Sequence, residues 1–196
     1  MLNETFTKSL VEQDGIDPRV LRTRTLIEGA FTALMQEKSF QSISVSDITS
    51  RATINRATFY AHFQDKYDLF EFVVAKSFQE LLRSRLNETC RFSTDNLHIL
   101  ILAVREYLSS HMSCCTLGMQ QFHPSVFRQV QAQIFSLACH WLEGMEVEAN
   151  VEATAAMLSW AVLGAGIHGN EKEEMDVTQI VKFLMKGLTG MGYVLD

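Results

Sequence analysis

The stretch from residue 44 to residue 66, SVSDITSRATINRATFYAHFQDK, decides how this chain is read. It predicts two short helices joined by a tight turn. Ser44 is a helix-start residue whose hydroxyl can accept from an otherwise unpaired backbone N–H. Asp47 stands three positions on, where its carboxylate reaches back to complete a capping box. Val45, Ile48 and Ala52 recur at i, i+3 and i+7 and give the first helix one apolar stripe. Ala52-Thr53-Ile54 forms the turn, and Asn55 caps the second helix. Ile54 and Phe59, on either side of that cap, make a hydrophobic staple that fixes the angle at which the second helix leaves the turn. Phe59 and Phe63 face inward, so Arg56, Ala57, Thr58, Tyr60 and Ala61 point outward. This is a helix-turn-helix with a small, mostly neutral face tipped by Arg and Tyr, a shape that can enter a major groove.

The flanks extend the pattern. Asp17-Pro18 is a cap followed by proline in a first helical turn. Behind it Ile27, Ala30, Phe31 and Leu34 trace an apolar face that Leu26 and Met35 widen, and Asp65 caps a longer helix beginning at Lys66. Together these residues resemble the amino-terminal domain of the TetR family of bacterial transcriptional regulators. The resemblance is carried by the apolar first helix, Ser39-Phe40, Ile43-Ser44-Val45, Asp47-Ile48, Thr58-Phe59-Tyr60, His62-Phe63 and Lys66 through Leu69-Phe70. It spans roughly residues 18 to 72, and TFYxHF followed by K is a specific combination. One residue departs from it: many members place glycine where Thr53 stands, so Thr53 implies a turn without a positive φ or one carrying strain.

The resemblance implies an all-α protein, with a three-helix DNA-binding domain followed by a larger helical ligand-binding and dimerisation domain. The expected division is an arm over residues 1–17, the helix-turn-helix domain over 18–65 and the regulatory domain over 66–196. Ser44, Asn55, Arg56, Ala57, Thr58, Tyr60, His62 and Lys66 are the expected DNA-binding residues. From the resemblance, Tyr60, Ser44 and Lys66 are phosphate contacts, and Arg56 is the base reader, able to bridge a guanine edge. His62 lies inside the TFYxHF match, where packing or a phosphate contact outweighs catalysis.

Charge divides along the same boundary. The 196 residues carry a net charge of −6, yet residues 17–66 hold seven Lys/Arg against five Asp/Glu, leaving the remainder at −8. A locally basic head on an acidic body suits a DNA binder, because attraction to phosphate decays within about 10 Å at moderate salt. No apolar run is long enough for a membrane span, and the acidic start MLNETFTKSLVEQDGID does not read as a signal peptide, so a cytoplasmic protein is expected. The four cysteines follow no disulfide-framework spacing and read as free thiols.

From Lys66 onward every segment reads as helix. Phe70, Val73, Val74, Ser77, Phe78, Leu81 and Leu82 mark one face over about 66–87. A cluster of capping residues at 93–96 precedes Leu97, Leu100, Ile101, Val104 and Leu108, in a helix apolar nearly all round its first half and therefore central. His123-Pro124-Ser125 breaks the chain before Phe127, Val130, Ile134, Leu137, Ala138 and Trp141. Val151 to Ile167 is rich in Ala and Gly, and Val177, Ile180, Val181, Leu184, Met185 and Leu188 mark the last helix.

Two sites follow in this body. Small residues Ala161, Gly164 and Ala165 and the stripe with Ile180, Leu184 and Leu188 are the expected dimer contacts. The family resemblance implies that these last two helices pair across a two-fold axis as a four-helix bundle. Tyr107, His111, Met112, Met119, Phe122 and Phe127 are the expected walls of a pocket for a small apolar or aromatic effector, with Met157 among the bulky residues in the middle of the body. The segment from His111 to Ser125, where Met, Phe, His and Cys alternate with Gly118 and Pro124, packs poorly as a regular helix.

His111, Cys114, Cys115 and His123 also have metal-ligand types. Adjacent cysteines do not readily converge on one ion and no CxxC pair exists, so no metal or cofactor is assigned. No nucleophile elbow, P-loop or HExxH occurs, so no enzyme is expected. The leading expectation is a ligand-responsive repressor acting as a homodimer on a palindromic double-stranded operator. The alternatives are a protein-binding adaptor of the same shape and a thiol-sensing regulator using Cys114 or Cys115.

Overall fold

The computed structural model describes residues 17–86, 91–113, 123–143, 145, 150–168 and 176–193. Among them are eight α-helices and no strand: α1 (Pro18–Glu37), α2 (Val45–Ala52), α3 (Arg56–Tyr60), α4 (Lys66–Arg85), α5 (Thr94–Ser113), α6 (His123–Glu143), α7 (Val151–His168) and α8 (Val177–Gly190). A single 3-10 turn, Phe40–Ser42, joins α1 to α2. The all-helical expectation is met.

Helices α1 to α3 form a compact head. Asp17 caps α1 by accepting from the Arg19 backbone N–H, and Pro18 begins the helix where its missing N–H is harmless. Ile27, Ala30, Phe31 and Leu34 are buried as their spacing predicts. Leu26, expected to widen that stripe, is exposed; it lies one residue off the buried line, and no described residue covers that side. Phe31 and Phe70 both pack edge-on against the Phe40 ring, with centroids 6.0 and 5.4 Å away. One apolar core therefore runs from α1 through the 3-10 turn into α4, and head and body share it.

The body is layered around α5, whose Leu97, Leu100, Ile101, Val104 and Leu108 are all buried. Gly166 of α7 faces it. A Cβ there would lie 2.4 Å from Cγ1 of Val104, so only glycine lets α7 approach α5 this closely. Along α6, Val126, Val130, Ile134, Leu137, Ala138 and Trp141 are buried, while Phe127, assigned to that stripe from sequence, is only half-buried. Val126 takes the inner position instead.

Candidate nucleic-acid interface

The head's exposed surface is built by caps. In α2 the Ser44 hydroxyl and backbone N–H both donate to one oxygen of Asp47, at 2.6 and 2.8 Å, and the Asp47 N–H returns a bond to Ser44 Oγ at 3.1 Å. Those donors, the hydroxyl foremost, and the Lys38 ammonium at 3.0 Å hold the Asp47 carboxyl well below the usual carboxylate range. The turn then closes at Thr53, whose N–H donates to the carbonyls of Ser50 and Thr49. Thr53 has φ 55° and ψ 45°, the one non-glycine residue with a positive φ among those described. Of the two readings of this position, the strained one holds: a β-branched side chain occupies a left-handed turn.

Asn55 starts α3 by accepting from the backbone N–H of Thr58 at 2.7 Å and from its hydroxyl at 2.9 Å. This uses the Asn55 carbonyl and leaves its NH2 group available. Phe59 is fully buried and its ring lies 5.9 Å from Phe63. Anchored there, the helix turns Arg56, Ala57 and Tyr60 outward, with Tyr60 52% exposed and Thr58 half-buried. Arg56 makes no ion pair among the described residues. His62 is half-buried; burial and, secondarily, the nearby Arg24 guanidinium lower its pKa and favour the neutral imidazole.

Lys66 does not occupy the place expected of it. Its ammonium donates to the carbonyls of Phe40, Gln41 and Ile43, at 3.1, 3.1 and 2.7 Å, and sits 4.8 Å from the Phe40 ring centre. All three of its N–H donors are engaged within the head, so a phosphate contact through this ammonium is replaced by an internal one. Two further cations are neutralised by partners that single-sequence spacing does not reveal. Arg51 forks onto both carboxylate oxygens of Glu37, at 2.8 and 2.6 Å, and Lys38 meets Asp47. Arg24 lies over the Phe72 ring, 5.5 Å from its centre. Arg19, Arg22 and Arg56 remain as exposed or half-exposed cations without an ion pair among the described residues.

In the body, α7 and α8 leave an apolar face that no described residue covers. Ala161, Gly164, Ile180 and Leu184 of the expected dimer set are half-buried at its edge. Ala165 (6% exposed) and Leu188 (3%) are not on it; they face their own protomer's core. The face is dominated instead by Met157, Trp160 and Phe183, which are 65, 62 and 78% exposed, with Met191 beyond them. Met157, expected in the middle of the body, is thus at its surface. The signal that could have found Trp160 and Phe183 is their spacing of three to four residues from Gly164 and Ile180.

The expected effector residues divide similarly. Tyr107 is buried as a strut: its hydroxyl donates to the Val74 carbonyl at 2.9 Å, lies 2.6 Å from Ser77 Oγ, and its ring is 5.0 Å from Phe78. Burial pushes this phenol's pKa up to about 12. Phe127 is half-buried against the core. Met119, Phe122, Cys90, Cys114 and Cys115 lie outside the described residues, and the side chains of His111, Met112 and His123 are likewise outside the description. Cys139 is half-buried, and burial together with Glu143 and Glu152 raises its pKa, the opposite of what a reactive thiolate needs. Among the described residues no cluster of His, Cys, Asp and Glu could hold a metal, and no helix is long and apolar enough to cross a membrane.

Comparison with known proteins places the head. Residues 26–73 match the family described as bacterial regulatory proteins, tetR family. The uncharacterized HTH-type transcriptional regulator YxbF of Bacillus subtilis (strain 168) is 31% identical over 128 residues, which is 62% of this chain and 34% of the relative. The HTH-type dhaKLM operon transcriptional activator DhaS of Lactococcus lactis subsp. lactis (strain IL1403) is 42% identical over 60 residues, 31% of this chain and 32% of that protein. These matches span about a third of the length of the curated relatives. A solved structure of a dihydroxyacetone kinase operon activator DhaS superposes with a TM-score of 0.52 at 23% identity, covering 86% of this chain and 97% of that one, which shows a shared fold.

Proposed function

We propose that this chain, whose residues 26–73 match the bacterial regulatory proteins of the tetR family, is a transcriptional regulator of that family that acts as a ligand-responsive repressor, a homodimer on a palindromic operator. The observation that carries this reading is the outward face of α3, where Arg56, Ala57 and Tyr60 are presented by a capped helix over a buried Phe59. Arg56 reads a base edge, while Tyr60, Ser44, Asn55, Thr58 and His62 meet the backbone around it. The Ser44 hydroxyl must turn from Asp47 to do so.

The dimer is supported by the α7–α8 face. Met157, Trp160 and Phe183 are too large and too exposed to be incidental, and a second copy of the same face covers them isologously. Residues 18–65 then form the reading head and 66–196 the regulatory domain, with the effector held among the body helices. An effector that favours a state with wrongly spaced heads releases the operator.

Selection of bound DNA from a random pool tests the proposal. A palindrome with half-sites about one turn apart is expected. Recovery of no palindromic motif would sink it. Activation is the second reading, favoured by the printed role of the Lactococcus lactis relative; deletion of the gene distinguishes the two, since operon expression rises if it represses and falls if it activates.

A further inference from the structure

Helix α4 is fastened to the head so firmly that the two form one piece. Lys66 joins its first turn to the carbonyls of residues 40, 41 and 43, and Lys76 pairs with Glu28 of α1. Whatever sets the angle of α4 against the body therefore sets the position of the reading head.

Polar links from α6 do this on one side. The Glu71 carboxylate takes the Arg128 guanidinium on one oxygen and the Gln129 amide on the other, the latter at 3.1 Å. One turn along, Gln133 donates to the Ala75 carbonyl at 2.7 Å. Glu71 and Ala75 share a face of α4, and the three gripping residues lie within six positions of α6. Between them Gln131 donates to Ser159 Oγ at 2.9 Å, and Ser159 is fully buried in α7, one residue from Trp160 on the apolar face. Helix α6 thus bridges the helix of that face to the helix that carries the head. Apolar packing between helices tolerates small slides, whereas these bonds are short and directional and hold one register.

The grip is also incomplete. Oε1 of Gln133 is buried without a hydrogen-bond partner among the described residues, so a shift of α6 that pairs it has a bond to gain. The geometry points to Glu71 as a positioning residue, whose hold on Arg128 and Gln129 fixes the head's angle and whose release lets the head swing. The consequence at DNA rests on the regulator reading above; the geometry does not.

The test uses the full-length chain with spin labels on unnatural amino acids at exposed positions Ala57 and His140, diluted into unlabelled protein so that distances are within one protomer. Wild type is expected to give one narrow distance. Glu71→Gln and Arg128→Glu each broaden it or add a second, and the exchange Glu71→Arg with Arg128→Glu restores it. On selected DNA, Glu71→Gln loses about fivefold of the preference for native over respaced half-sites, the scale of a partly exposed ion pair, with affinity for a single half-site unchanged. Unchanged distance distributions in both single variants overturn the inference. If wild type selects no palindrome, the regulator reading falls, and the distances still decide the role of Glu71.

Discussion

Helices α2 and α7 differ in how much their sequences reveal. Helix α2 has a capping box at its start, a single buried stripe of Ile48, Thr49 and Ala52, polar or charged groups on its exposed side, and a turn that ends it. Helix α7 is apolar on all sides, with Leu158, Val162 and Leu163 buried and Met157 and Trp160 exposed. An amphipathic helix states which face is covered. A helix apolar all round states only that something covers both faces, and periodicity cannot divide one neighbour from another.

The largest expected effect breaks the head at its best-specified residue. Phe59→Ala should remove about 3–5 kcal/mol of stability, read by denaturant unfolding, because a fully buried ring anchors α3. A loss below about 1 kcal/mol would show that the caps alone hold the second helix.

The next sharpens the division of α7 and α8 into two faces. Trp160→Glu should leave a folded protomer and convert a micromolar dimer into monomers by sedimentation, a loss of at least about 2 kcal/mol of association for a central aromatic. Leu188→Glu, one helix away but turned inward, should instead unfold the protomer. Wild type sedimenting as a monomer at that concentration would contradict the dimer.

A smaller gain is expected at the turn between α2 and α3. Thr53→Gly should stabilise the head by about 1 kcal/mol in a thermal melt, since glycine adopts the left-handed conformation without the steric penalty of a β-branched residue. Destabilisation would mean that the Thr53 side chain makes up for its own strain.

The smallest effect is set by pH. Burial lowers the folded-state pKa of His62, so between the unfolded value near 6.5 and the lower folded one the unfolded chain binds more protons. Its contribution is complete above about pH 6.5 and is lost as pH falls through that window. His62→Gln should flatten the dependence of head stability on pH there; an unaltered profile would assign the effect elsewhere.

The head was legible because its determinants are local. Ser44 with Asp47, Asn55 with Thr58, and Phe59 with Phe63 all act across three or four residues. What escaped reading is tertiary. Lys66 meets carbonyls 23 to 26 positions earlier, and Arg51 meets Glu37 across 14, so neither bond leaves a trace in periodicity. Leu26 looked buried because apolar residues beside a stripe usually are. Ala165 and Leu188 looked like contacts with a partner because small or apolar side chains suit an outer and an inner face equally. Tyr107 reads from sequence as a pocket wall and not as a strut, since its partner is a main-chain carbonyl on another helix.

The internal engagement of Lys66 has a consequence for where the protein resides along a chromosome. Ions condensed on DNA are released at about 0.9 per phosphate neutralised, and that release supplies most of the grip on arbitrary sequence. With Lys66, Lys38 and Arg51 tied to their own protein, Arg19, Arg22, Arg24 and Arg56 are the cations among the head's described residues left to displace ions, which caps the salt exponent of a pair of such heads at roughly seven. Such a protein holds random DNA weakly, searches it quickly, and keeps its operator through swings in ionic strength that would strip a more cationic reader.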